Sequence, residues 1–253
     1  MKYLVFGPGG QGYFAMLGCV MTNVKDKWNE VEEISAASAG SLLAFLLLSP
    51  HRTFDEIVDM SFSLNVEELT KINLTTFINS FGFIDHEPIK QKIIELWGGN
   101  PTFKELSKKF YISAFCLNTS EVEYFSVDTH PNMHVVEAVC MSISVPVMFA
   151  GYRFGKKMYL DGGTNEKIPG LPFLHKKRSD VTCVALINTD RKFIKMNTLR
   201  DFFEGLLEPI RHNTIKYDLP GFFINTAGVN LLNMKMVLEE KIKLFLLGSA
   251  AVA

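Results

Sequence analysis

Ile34-Ser35-Ala36-Ala37-Ser38-Ala39-Gly40-Ser41-Leu42-Leu43-Ala44-Phe45 reads as an apolar strand that breaks, through small residues, into a strongly helical run. A serine at the apex of so sharp a turn needs small neighbours, because Cβ atoms two residues to either side collide with the turn. Ala36 and Gly40 occupy those places, so Ser38 stands in a G-x-S-x-G-like elbow with alanine for the first glycine. Small-residue turns between strand and helix are also plain packing devices. The elbow therefore takes its meaning from what else the chain carries.

Two further segments supply that. Near the start, Tyr3-Leu4-Val5-Phe6 is a short buried-type strand running into Gly7-Pro8-Gly9-Gly10-Gln11-Gly12, with a helix predicted from Tyr13 to about Lys25. Downstream, the strand Lys157-Met158-Tyr159-Leu160 ends in Asp161-Gly162-Gly163, a carboxylate presented on a tight turn. A glycine-rich loop, a serine elbow and an Asp-Gly turn, in that order, are the parts of a serine hydrolase that lacks a histidine.

The ordered triplet Gly7-x-Gly9-x-x-Gly12, Ala36-x-Ser38-x-Gly40 and Asp161-Gly162-Gly163 resembles the patatin-like phospholipase family, whose fold is shared with the catalytic domain of cytosolic phospholipase A2. The resemblance spans roughly residues 1 to 190. It implies an α/β three-layer sandwich with a central, mostly parallel sheet flanked by helices. It also implies Ser38 as nucleophile and Asp161 as the base that takes its proton, which asks for a partly buried Asp161. The amides of Gly9 and Gly10 are the candidate oxyanion hole, since glycine lets backbone N–H groups approach closely. Gly7 and Gly12 would shape that loop, and Gly40, Gly162 and Gly163 complete the motif glycines. Pro8 and Gln11 depart from the family pattern, which has glycine and a basic residue there. Pro8 has no N–H to donate, and Gln11 leaves the loop without positive charge.

The six histidines, His51, His86, His130, His134, His175 and His212, do not occupy the turn expected of a triad histidine. Each is expected on the surface or in a loop, so the Ser38–Asp161 dyad that the resemblance implies fits better than a triad. A dinucleotide-binding reading of Gly7 to Gly12 wants an acid at the end of strand two, about twenty residues on. Glu32 and Glu33 fall instead at the start of that strand. No D-x-D-x-D-G loop or other oxygen-ligand cluster is present, so neither metal nor cofactor is expected.

A chain of 253 residues can build one large core, and a single domain is expected, with a helical insertion at about 53–109. A net charge of -1 excludes the basic footprint of a nucleic-acid binder. Cys19, Cys116, Cys140 and Cys183 are scattered among apolar neighbours and read as reduced core residues, which favours an intracellular setting. The apolar start is interrupted by Gly-Pro-Gly-Gly after residue 6, so no signal peptide is expected, and the sequons at Asn73 and Asn118 are read as incidental.

Strands are predicted at Val31–Ser35, Lys109–Leu117, Val122–Val127, about 152–160 and Val181–Ile187. Helices are predicted at Phe54–Ser61, His86–Trp97, Val135–Ser144 and Leu199–Tyr217, with a last one from about Asn233. The uncharged run Leu244 to Ala253 is half the length a bilayer span needs, about twenty residues. It is expected to dock on the body of the protein. The apolar stretch Phe77 to Ile84 reads equally as a lid, as an acyl-channel wall or as core, and Val145 to Phe149 is a second candidate wall. Lys176-Lys177-Arg178 would suit anionic head groups or a solvated loop.

These readings converge on a serine lipid acyl hydrolase, with a lipid or phospholipid substrate and transient contact with a membrane surface. The alternative on the same fold is a non-catalytic lipid- or partner-binding protein; a nucleotide-binding α/β protein is a third.

Overall fold

A computed structural model describes residues 1–187, 205 and 217–253. The first strands and helices alternate: β1 Tyr3–Phe6, α1 Tyr13–Asn23, β2 Glu33–Ala37 and α2 Ala39–Leu47. The segment 53–109 holds α3 Phe54–Ser63, α4 Val66–Leu69, α5 Leu74–Ser80, β3 Gly82–Ile84 and α6 Glu87–Trp97. Then come β4 Lys109–Cys116, β5 Glu121–Phe125, α7 Val135–Ser142, β6 Val147–Phe149, β7 Tyr152–Phe154, β8 Lys157–Asp161 and β9 Val181–Ile187. The last two elements are β10 Gly221–Asn225 and α8 Leu238–Ser249. The helix predicted over 199–217 lies outside the described residues, Gly205 and Tyr217 apart.

The main sheet runs β10-β9-β1-β2-β4-β8-β7, with β5 also on β4. The ladders joining β10, β9, β1, β2 and β4 are all parallel, and those of β4 with β5 and β8, and of β7 with β8, are antiparallel. This is the expected mostly parallel sheet flanked by helices. Alternation along the strands separates its faces. Leu4, Phe6, Ile34, Phe110, Ile112 and Val184 join the large core made with α1, α2, α6 and α7. Val5, Cys183 and Ala185 face the other way, onto Ile168, Phe173 and Leu219, with Tyr3, Tyr111 and Tyr217 at the margin.

The two central helices are buried nearly all round. Eight consecutive residues of α1, Tyr13 to Val20, are buried because the sheet lies on one side and α8 on the other. α1 and α8 meet backbone to backbone: a Cβ on Gly18 would overlap the Phe245 carbonyl, and one on Gly248 the Ala15 carbonyl. Lys241 fixes the same helix to α3, its ammonium donating to the carbonyls of Phe62 at 3.3 Å and Leu64 at 2.9 Å. A cation at a helix C-terminus meets both unsatisfied carbonyls and the negative end of the dipole. The docked reading of the last helix therefore holds, although it begins at Leu238 rather than near Asn233. The four cysteines are free and buried. No helix among the described residues is long and apolar enough to cross a membrane.

The segment 53–109 is helical with one addition. α3 opens with a capping box in which Thr53 Oγ1 accepts the Glu56 N–H and the Glu56 carboxylate accepts the Thr53 N–H. β3 was not expected. It pairs in parallel with β6, forming a small second sheet that ties this segment to the chain leading into β7 and β8. Gly82 has no room for a side chain, since its Cβ would overlap the Phe149 carbonyl.

The α1–α8 seam gives a stability prediction. Gly248→Val should destabilise the fold by about 1–3 kcal/mol, the range for overpacking, seen as a lower urea midpoint with an unchanged slope.

Candidate active site

The order of strands on β4 determines the site. β2 pairs with β4 up to Ala37 opposite Ser113, and β8 pairs with β4 from Asp161 opposite Ala114. β5 overlaps both registers, covering Ile112 to Cys116, so it must take the other edge of β4. β2 and β8 therefore abut on one edge, running in opposite directions, and their carboxyl ends meet. Ser38 comes directly after the last residue of one, and Asp161 is the last residue of the other.

At that junction Ser38 Oγ donates to Asp161 Oδ2 at 2.5 Å. Ser38 has φ 52 and ψ -130, a strained conformation for a residue with a Cβ. Its surroundings hold it there. Its N–H donates to Ser142 Oγ at 2.8 Å, and its carbonyl accepts the N–H and the hydroxyl of Ser41 at 2.8 and 2.7 Å. Ser38 also stands at the N-terminus of α2, where the helix dipole favours negative charge.

Asp161 is 4% exposed. Its second oxygen, Oδ1, accepts the Gly163 N–H at 2.6 Å, and Thr164 Oγ1 donates to its carbonyl at 2.7 Å. Its own N–H donates to the Ser144 carbonyl at 2.9 Å.

The glycine loop is wedged against both. A Cβ on Gly40 would meet the Gly7 carbonyl at 2.5 Å, one on Gly163 would meet Pro8 Cβ at 2.5 Å, and one on Gly162 would overlap the Ser113 carbonyl. Pro8 thus packs on the turn that carries Asp161, which gives this departure a structural use. Gly10 takes φ 52 beside the Leu231 carbonyl, a position only glycine fits without strain, and Gly12 N–H closes the turn onto the Gly9 carbonyl at 2.8 Å. The N–H groups of Gly9 and Gly10 make no hydrogen bond among the described residues. Gln11 is buried and turned aside, its Nε2 lying 3.6 Å from Met234 Sδ.

Buried polar residues beside the site, Ser142 and Ser144 among them, are not singled out by the sequence, and His86 is the largest of them. His86, expected on the surface or in a loop, is 6% exposed, with Nε2 2.8 Å from Ser144 Oγ and its ring against Phe149 and Tyr152. Its place between Ile84 and Ile89, both buried, is the only sequence signal, and a weak one. His51, His134 and His175 are exposed and His130 is half-buried; His212 lies outside the described residues.

A serine–carboxylate contact at the carboxyl ends of a mostly parallel sheet, flanked by a glycine loop, defines the class. Residues 4–174 match the patatin-like phospholipase family, and the chain belongs to it. Similar proteins include the uncharacterized protein R571 of Acanthamoeba polyphaga mimivirus, 29% identical over 180 residues that make up 67% of this chain. Another is "Probable lipid hydrolase 463L" of Invertebrate iridescent virus 6, 24% identical over 180 residues, 66% of this chain. The chain spans 60% and 61% of the length of these two curated relatives. Among solved structures, VipD from Legionella pneumophila superposes with a TM-score of 0.57 at 17% identity, covering 98% of this chain and 65% of VipD. The type III effector protein ExoU gives 0.56 at 15% identity, with 98% and 51% covered. At these identities the likeness to both structures is one of fold.

Burial pushes the His86 pKa down to about 4, against a raising influence of the adjacent Asp85. An unfolded histidine titrates near 6.5, so between these values the unfolded chain binds the extra proton. The His86 contribution to stability is thus fully present above pH 6.5 and is lost as pH falls towards 4, by about 2–3 kcal/mol at pH 4.5. In urea unfolding, wild type should lose stability relative to His86→Gln by about that amount between pH 7 and pH 4.5. A difference between the two that stays constant with pH would refute this account.

Proposed function

We propose that the chain is a lipid acyl hydrolase working through a Ser38–Asp161 dyad. The observation that carries the reading is the 2.5 Å bond from Ser38 Oγ to Asp161 Oδ2 at a strained elbow. A serine hydroxyl needs a base within hydrogen-bond reach to attack an ester at neutral pH. Membership of the patatin-like family and the relative named as a lipid hydrolase support the same class.

In this mechanism Ser38 Oγ attacks the acyl carbonyl carbon while its proton passes to Asp161. The negative charge that develops on the carbonyl oxygen is met by the Gly9 and Gly10 amides and by the N-terminus of α2. The tetrahedral adduct collapses, the ester C–O bond breaks, and the leaving alcohol takes the proton from Asp161. Water then attacks the acyl-enzyme as Asp161 removes its proton, and that proton returns to Ser38 Oγ as the fatty acid leaves. The departures Pro8, Gln11 and Ala36 favour the non-catalytic alternative; the packing of Pro8 on Gly163 weakens it.

A fluorophosphonate probe followed by intact mass should add one label to wild type and none to Ser38→Ala. Asp161→Asn should label more slowly by about 10²-fold or more, within the range for loss of a general base. Folded wild type that stays unlabelled would refute the dyad and favour a binding protein.

The substrate, a lipid held in a membrane, asks for a surface that meets one. Ile72, Leu74, Ile78 and Phe81 are each between 60% and 76% exposed, on and around α5. Of the stretch Phe77 to Ile84, Ile78 and Phe81 are exposed while Ile84 lies in the core, and β3 ties it to the chain entering the Asp161 strand. In this reading the apolar face meets the bilayer interface. Ile78→Asp with Phe81→Asp should lower hydrolysis of phospholipid vesicles by about tenfold or more, since each buried apolar side chain contributes about 1.5–3 kcal/mol. Turnover of a short soluble ester should be unchanged; an equal loss on both substrates would show that the patch serves the fold instead.

A further inference from the structure

The turn that ends α7 touches both members of the proposed dyad. Ser142 accepts the Ser38 N–H on its hydroxyl and donates to the Ser113 carbonyl at 2.7 Å. Ser144 gives its carbonyl to the Asp161 N–H. Its hydroxyl points away from the dyad, donating to the Cys140 carbonyl at 2.7 Å, with His86 Nε2 at 2.8 Å. A hydroxyl has one proton to give, and here it goes to Cys140, so the ring nitrogen is the donor. His86 comes from the segment 53–109, just ahead of α6, and bonds to the turn that follows α7, adding to that segment's ion pair of Lys90 with Glu137 on α7 and its β3 pairing with β6.

We propose that His86 is a positioning residue for Asp161, fixing through the Ser144 hydroxyl the turn whose carbonyl holds the Asp161 amide. This rests on the Ser38–Asp161 reading. The surroundings favour such a role over space filling. The ring is packed on Phe149 and edge-on to Tyr152, whose hydroxyl donates to Glu137, itself paired with Lys90. Those charges and the neighbouring Asp85 lie around it, and burial keeps the imidazole neutral. The chain between Ser144 and Asp161 needs holding: Val147 sits at φ 68, unfavourable for a β-branched side chain, where it pairs with Gly82. The His86 bond adds a hold from the segment 53–109 to a turn otherwise fixed by Ser142 on Ser113, by the Ser144 hydroxyl on Cys140 and by the Asp161 amide. Small displacements at a reacting pair have large effects on rate, about 10²-fold for 1 Å.

The test compares wild type with His86→Gln, which keeps an N–H donor, His86→Leu, which does not, and Ser144→Ala. Each is assayed on a soluble ester, with rates divided by the concentration of sites that a fluorophosphonate labels. His86→Leu and Ser144→Ala should each lower kcat by about tenfold with KM within about twofold. His86→Gln should recover most of the loss, and the double variant His86→Leu/Ser144→Ala should lose no more than either alone. Equal losses in Gln and Leu, full kcat in Ser144→Ala, or a deficit explained wholly by fewer labelled sites would overturn the proposal. Should His86→Leu fail to fold, Ser144→Ala and His86→Gln still decide it. Wild type that neither labels nor hydrolyses would instead bring down the dyad reading, and this proposal with it.

Discussion

The register on β4 is the constraint on which the site depends. One edge of that strand is shared in sequence by β2 and β8, with the handover between Ser113 and Ala114. Because β2 is parallel to β4 and β8 antiparallel to it, the two strands point at each other, and the chain beyond each must turn away from the junction. After β2 it turns into α2 through Ser38; after β8 it turns through Gly162-Gly163. Ladder hydrogen bonds thus set the approach of the two side chains, and no long loop intervenes. A slip of one residue in either ladder would send Ser38 or Asp161 to the opposite face of the sheet.

Glycine makes the remaining contacts possible. Gly40 lets the first turn of α2 lie against Gly7, Gly163 lets the acid's turn lie against Pro8, and Gly162 lets it lie against Ser113. Three chain segments far apart in sequence interlock through backbone where side chains would hold them apart. Dense interiors transmit displacement rather than absorb it, so a change in one loop is felt in the other two.

The parts of this arrangement visible in the sequence are those in which a residue type answers a local backbone demand. Small residues around Ser38, an acid before two glycines, and the apolar run Tyr3 to Phe6 all announce themselves without knowledge of their partners. Where partners decide, local reading falls short. β2 extends to Ala37, beyond the predicted Ser35, because β1 bonds as far as Ala36 on one side and β4 as far as Ala37 on the other, overriding the weak strand preference of alanine. β3 exists only because β6 lies beside it. α8 starts at Leu238 since Glu240 accepts the Val237 N–H at 3.0 Å, an end condition that the apolar pattern does not carry. His86 is buried by Phe149, Tyr152 and Ser144, all from much later in the chain.

In the proposed dyad the base must be oriented as well as present, and the groups nearest its carboxylate for that task are backbone ones. In a Ser-His-acid triad the carboxylate orients the imidazole. Here the two oxygens of one carboxylate divide the work. Oδ1 is taken by the Gly163 amide, donated from the same tight turn two residues on, which leaves Oδ2 directed at Ser38. An amide fixed by its own turn cannot be displaced without breaking that turn, and Thr164 and Ser144 bind the turn and strand on either side. The second glycine of Asp161-Gly162-Gly163 therefore has two physical duties, giving Pro8 room to pack and placing an N–H on the acid. In the proposed mechanism, backbone takes over the orienting role that a triad assigns to a side chain.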